Sequence, residues 1–204
     1  MRWPAALCLV FAAAAAANPG HTADPRYPDW PCAQAKVPEI SLAAVWDGPD
    51  LGDALARWKE DARVSALLPR LAARRTPLDE AEKAITEFLS NSTLQKNEAG
   101  KLLFAGLFDT LNAQRASVMN GLERVTRKQR EAAEKIRDDT LALQALQDAT
   151  PPDQAKVEEL GNQLVWETRI FEDRRRVIRF VCEVPTAIDQ RLFALGRVIQ
   201  QEME

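Results

Sequence analysis

Few side chains in this chain could do covalent chemistry, and the cysteines come first. Cys8 sits in an N-terminal stretch that reads as an export signal, which leaves Cys32 and Cys182 near opposite ends of the remaining chain. In an exported protein the chemistry expected of such a pair is a disulfide. It would close a loop of about 150 residues, for which the chain-entropy account gives roughly 5 kcal/mol. The competing reading is two free thiols. Neither cysteine has a partner at metal-site or redox-motif spacing.

The only histidine is His21. It falls beside the signal, so His-based triads, zincin motifs and Cys-x-x-Cys-His haem attachment are excluded. No P-loop or dinucleotide-binding glycine pattern occurs. Asp and Glu are abundant, so a carboxylate pair for hydrolysis of envelope polymers stays open. The plainer reading of those carboxylates is a solvated surface. The expectation is a non-enzymatic protein with no cofactor and no metal.

Charge offers two further candidates. Arg124, Arg127, Lys128 and Arg130 form one basic cluster; Arg174, Arg175, Arg176 and Arg179 form another; Arg70, Arg74 and Arg75 form a third. The first two are either a salt-bridged surface or a basic collar for an acidic partner or a weak anionic-surface contact. Arg115, with Trp46 and Trp58, is the candidate lining of a ligand pocket. The formal net charge is −3, and loss of residues 1–23 with Arg2 makes it −4. Such a balance does not suit a nucleic-acid binder.

These residues must be positioned by the elements around them. Arg2 and the apolar run Ala5 to Ala17 have the pattern of a signal peptide, cleaved after Ala17 or Ala23; the run is too short for a bilayer span of about 20 residues. A retained anchor is the alternative. The expected location is the bacterial periplasm, or outside the cell. Residues 24–50 hold Pro25, Pro28, Pro31, Pro38 and Pro49, which favour an extended strap. Tyr27, Trp30, Val37, Ile40 and Trp46 are its apolar anchors, and a short turn is expected from Ser41. Trp30 and Trp46 read as groove packing or as a ligand platform.

Helices follow over 51–204. The spacing predicts one helix from Asp50 to about Ala73, kinked or ended by Pro69. A second is predicted from Thr76, its cap, to about Ser90, and the next is capped by Asn97. From Phe104 to Leu146, apolar residues recur at alternating steps of four and three, broken only by Arg115, Gln129 and Asp139. That is a coiled-coil seam. Thr150-Pro151-Pro152-Asp153 forces a turn and caps a fourth helix, where Val157, Leu160, Leu164, Phe171, Ile178 and Val181 keep the rhythm.

The predicted fold is therefore all-α. It is a helical head with a long antiparallel two-helix coiled-coil hairpin, the stalk lying at about 118–182 behind the Pro-rich strap. Paired residues should have numbers summing to about 300, setting Leu122 against Ile178 and Ile136 against Leu164. Pro185 should kink the last helix, and residues 186–203 should run beside 97–114.

A helical hairpin of this kind resembles the arm of an efflux-pump adaptor, but the flanking β-rich lipoyl and barrel segments are missing. It also resembles the arms of Skp-type periplasmic chaperones, without their β-stranded trimer body or basic surface. No family is identified. The functional expectation is an exported helical interaction or scaffold protein of the bacterial cell envelope. Its partner would be an envelope protein of unknown identity or a second copy in a homodimer. The alternative is a periplasmic carrier or sensor of small ligands.

Overall fold

The computed structural model describes residues 24–204, and among them there are helices and no strand. The expected signal at 1–23, with Cys8 and His21, lies outside the described residues. Six α-helices follow the strap: α1 Ala54–Arg57, α2 Ala62–Ala72, α3 Leu78–Ser90, α4 Lys96–Asp148, α5 Gln154–Val181 and α6 Glu183–Met203. No helix among the described residues is long and apolar enough to cross a membrane.

The head forms around the first third of α4. Leu103, Phe104, Leu107 and Leu111 of α4 are fully buried against Leu192, Leu195 and Ile199 of α6, with Val64 and Leu71 of α2 and Ile85 of α3 closing the core. Trp46 of the strap stacks on Phe104 at 4.1 Å between centroids. Close approach at one crossing demands a glycine. A Cβ on Gly196 of α6 would lie 2.8 Å from the Phe104 ring and 3.0 Å from the Val45 carbonyl oxygen.

The helix expected over 51–73 is two helices. Asp61 leaves the helical conformation (φ −87°, ψ 106°), and its carboxylate accepts from the N–H groups of Arg63 and Val64. That side chain satisfies the first free donors of a new helix, so the chain restarts there. Pro69 is accommodated inside α2. Thr76 does not cap α3, whose N-cap position is Pro77 without a side-chain hydrogen bond. Asn97 lies inside the first turn of α4, which begins at Lys96. Asp153 does cap α5, accepting from the Lys156 N–H at 3.2 Å.

At 1.5 Å per residue, α4 is about 80 Å long. It is the spine of the head and one leg of the stalk. The stalk register follows the sum of about 300: the Gln129 side chain donates to the Phe171 carbonyl at 3.0 Å, and Lys135 Nζ lies 2.8 Å from Glu167. Leu122 and Ile178 share one cluster at the base with Val118 and Val181. Cys182 carries helical dihedrals (φ −60°, ψ −24°) between α5 and α6. Pro185 is buried in the first turn of α6, where a missing N–H costs no helix bond.

The strap runs antiparallel to α4. Its contacts descend the helix in order: Asp29 with Arg127 and Arg130, Lys36 with Glu123, Val37 with Arg115, and Ile40 with Asn112. The turn expected from Ser41 is a short 3-10 helix, Leu42–Ala44. Cys32 and Cys182 lie at bonding distance, S–S 2.07 Å and Cα–Cα 5.5 Å, over a separation of 150 residues. Trp30 packs beside that pair, and its indole N–H donates to the Gln34 carbonyl at 2.7 Å.

Because the strap makes few backbone hydrogen bonds of its own, the covalent link should govern its protection. Cys182→Ser should cost about 2–5 kcal/mol and speed amide exchange at residues 24–40 first. Helical ellipticity should persist. Simultaneous loss of protection in the strap, α4 and α6, read by hydrogen–deuterium exchange, would show that the link holds up the head as well.

Candidate functional site at the stalk base

Below the head, α4 and α5 border a groove of about 540 Å³. Its floor is Val118, Leu122 and Val125 from α4 with Val177, Ile178 and Val181 from α5, and Arg124, Asp173 and Arg174 stand at its edge. Gly121 lines it as well, and a Cβ there would meet only the Arg124 guanidinium, at 3.9 Å. A second, smaller groove of about 230 Å³ continues toward the tip through Ala132, Ile136 and Ile170, sharing Arg174.

The basic residues around these grooves divide into two sets. Arg127 Nη1 lies 2.8 Å from Asp29 and Arg130 binds the same carboxylate, so both are committed to the strap. The hydrogen bond from Arg127, assisted by Arg130, holds the Asp29 carboxyl below its usual value. Arg176 pairs with Asp173 at 3.0 Å. Arg124, Lys128, Arg174, Arg175 and Arg179 are exposed and have no ion pair among the described residues. The two clusters thus converge at the stalk base, as the register requires. Their free members border an apolar floor.

Farther along, Lys135 bridges Asp139 and Glu167 at 2.5 and 2.8 Å. The bridge raises the Lys135 pKa, chiefly through Asp139, and lowers that of Glu167, chiefly through Lys135. Asp139, a break in the predicted seam, is thereby tied across the hairpin. Gln129, another break, is buried and bonded to α5 through its amide N–H, while its oxygen has no partner among the described residues.

The stalk surface carries large apolar side chains that the seam pattern does not contain. Val165 and Phe180 are 73% exposed, Trp166 62% and Val177 58%. Their positions fall between seam residues on α5, so a search for heptads passes over them. Trp166 in particular is flanked by Val165 and Glu167 and was legible only as a tryptophan off the seam.

Trp46, Trp58 and Arg115 do not line one cavity. Trp46 is buried on Phe104 and donates its N–H to the Pro49 carbonyl at 2.8 Å. Trp58 follows α1 and packs over the position of a Gly106 Cβ, its buried N–H without a hydrogen-bond partner among the described residues. Arg115 lies 11 residues beyond Phe104, about 16 Å along α4. Its Nη1 donates to the Val37 carbonyl at 2.6 Å and the Pro38 carbonyl at 3.3 Å, and its Nε lies 2.8 Å from Asp189. A groove of about 480 Å³ beside it is lined by Ile40, Val45, Asp189 and Phe193. An anion entering there would meet the Asp189 carboxylate and a guanidinium already engaged.

Arg191 is a buried cation that sequence patterning passes over. Its Nε donates to the Leu71 carbonyl at 2.6 Å and its Nη1 to the Thr76 carbonyl at 2.9 Å. It ties one C-terminal carbonyl of α2 and the Thr76 carbonyl before α3 to α6, and burial lowers its pKa. Among the described residues, no group of three His, Cys, Asp or Glu side chains converges as a metal site. No family model, curated protein or solved structure matches this chain.

The Arg115–Asp189 pair is asymmetric. Burial raises the Asp189 pKa, and Arg115 offsets this only in part. A raised folded-state value means that ionised Asp189 sits less favourably in the fold than in the unfolded chain. Its stabilising contribution is full below the ordinary Asp pKa near 4 and is lost as pH rises through the folded value. Asp189→Asn should therefore stay within about 1 kcal/mol of wild type at neutral pH and lose that pH dependence. Arg115→Gln, which removes a charged donor from two strap carbonyls, should cost about 2–3 kcal/mol. Urea unfolding of both variants across the acid range checks this. Equal destabilisation by the two would contradict it.

Proposed function

We propose that this protein is an exported, non-enzymatic interaction or scaffold protein of the bacterial cell envelope, working through its stalk. The observation that carries the reading is the contrast between head and stalk. The head closes a full core, whereas α5 contains no buried residue along its 28 residues. Large apolar side chains turned to solvent beside unpaired cations are a feature of protein-binding surfaces. The Cys32–Cys182 pair suits an oxidising compartment, which supports placement in the periplasm or outside the cell.

A photo-crosslinking residue at Trp166 or Phe180 should give discrete, saturable adducts with polypeptide chains in intact cells. The same residue at Leu78, an exposed apolar position in the head, should give none. Absence of adducts at both stalk positions, with the protein folded and exported, would defeat the reading.

A further inference from the structure

We propose that the stalk packs side by side and antiparallel against the stalk of a second copy of this chain, each acidic tip lying on the other's basic collar. This rests on the reading of the stalk as an interaction element and names its partner.

The first ground is the unfinished seam. Ile136, Leu143, Leu146, Leu160 and Leu164 are only half-buried, and α5 buries nothing fully. A second hairpin laid alongside completes a four-helix bundle, in which such positions become core.

The second ground is charge. Residues 138–168, around the tip, hold seven carboxylates and one lysine, a net −6. Residues 124–137 and 169–179, at the base, hold eleven Arg or Lys and four carboxylates, a net +7. Glu158 and Glu159 lie 16 residues before Arg174 and Arg175, about 24 Å along the helix. That exceeds the screening length of about 8 Å in physiological salt, so these two clusters do not neutralise each other within one stalk, where Lys135 with Asp139 and Glu167 is the tie between base and tip. None of Glu158, Glu159, Arg174 and Arg175 has an ion pair among the described residues. A parallel neighbour would stack like on like, and an anionic surface along the stalk would repel the tip. Only a reversed neighbour brings opposite charges together throughout.

The third ground is symmetry. An interface between identical copies about a two-fold axis pairs residue i with j and j with i. Setting Glu159 against Arg174 of the second copy puts the axis between Trp166 and Glu167, and these three side chains, Glu159, Trp166 and Arg174, lie within about 80° of one another around α5. Trp166 is the large exposed aromatic at that midpoint, with Val165 beside it. The same register brings Phe180 to the Pro152–Asp153 turn of the other copy. The overlap, 153–180, is about 42 Å long. A face about 20 Å wide would bury on the order of 800 Å² per copy, the size of a stable specific interface.

The test uses the exported chain with its disulfide intact. Sedimentation equilibrium should show a reversible dimer that weakens as salt rises. Arg174→Glu with Arg175→Glu should raise the dissociation constant about tenfold or more. Mixing that variant with Glu158→Arg, Glu159→Arg chains should recover dimers. Trp166→Cys should crosslink to itself through a short thiol-reactive linker. Arg174→Cys should not, but it should crosslink to Glu159→Cys chains in a mixture. All these positions are exposed, and unchanged helical ellipticity confirms folding. Self-crosslinking of Arg174→Cys would overturn the antiparallel arrangement. A monomer at about 100 µM would overturn the dimer, whether or not it binds phosphatidylglycerol vesicles. The crosslinks from Trp166 and Phe180 to other proteins would still decide the broader role.

Discussion

Two helices cannot surround a side chain, and the organisation of this molecule follows from where a third helix is present. Along α4 the seam is continuous in sequence, yet its burial changes sharply. Leu103, Leu107 and Leu111 are fully enclosed because α6 and α2 stand on either side of them. Beyond Gln129 no residue of α4 is buried, because α5 is the only neighbour. At about 25 cal/mol per Å² of apolar surface, the head gains most of the chain's hydrophobic stabilisation. Helix propensity, cross-hairpin contacts and a few ion pairs must hold the isolated stalk.

The strap acts at the boundary between those two regimes. It crosses α4 where the third helix gives out, and nearly every polar contact it makes is to the upper stalk or the junction. The disulfide reaches Cys182, the residue between α5 and α6. Gln34 donates to the Cys182 carbonyl, and Arg115 takes the carbonyls of Val37 and Pro38. Here the strap does what a third helix does elsewhere, covering Leu122 with Cys32 and Trp30. The strap thus ties the stalk base to the head as far as Arg130.

Much of this architecture was legible because its signals are local or periodic. The heptads gave α4 and α5, the Pro-Pro-Asp turn gave the hairpin, and the hairpin gave a register matched by Gln129 with Phe171 and Lys135 with Glu167. The break at Asp61 was not legible as a break, since an Asp in the middle of an apolar rhythm reads equally as a surface residue. Arg191 and Asp189 were missed for another reason. Their roles depend on carbonyls and charges brought from 70 or more residues away, and no spacing within α6 encodes that. The grouping of Trp46, Trp58 and Arg115 failed to form one cavity because residues near one another in a helical outline can still face different neighbours around α4.

The polar breaks in the seam have separate physical reasons, and together they bear on why the stalk stays open. Arg115 is buried to hold the strap, and Gln129 bonds across to α5 where the strap ends. Asp139 is drawn to Lys135, which also reaches Glu167. Gln129 with Phe171 and Lys135 with Glu167 fix register across the hairpin, at points where apolar packing alone would permit sliding by a heptad. A hairpin pinned in this way need not close its own seam to keep its shape. It can hold Ile136, Leu164 and the outward Trp166 half in water without losing alignment, because the head supplies stability and the polar ties supply geometry. Aligned but uncovered apolar surface, bounded by charges of opposite sign at its two ends, is the arrangement that association requires, and it exists here without weakening the core that supports it.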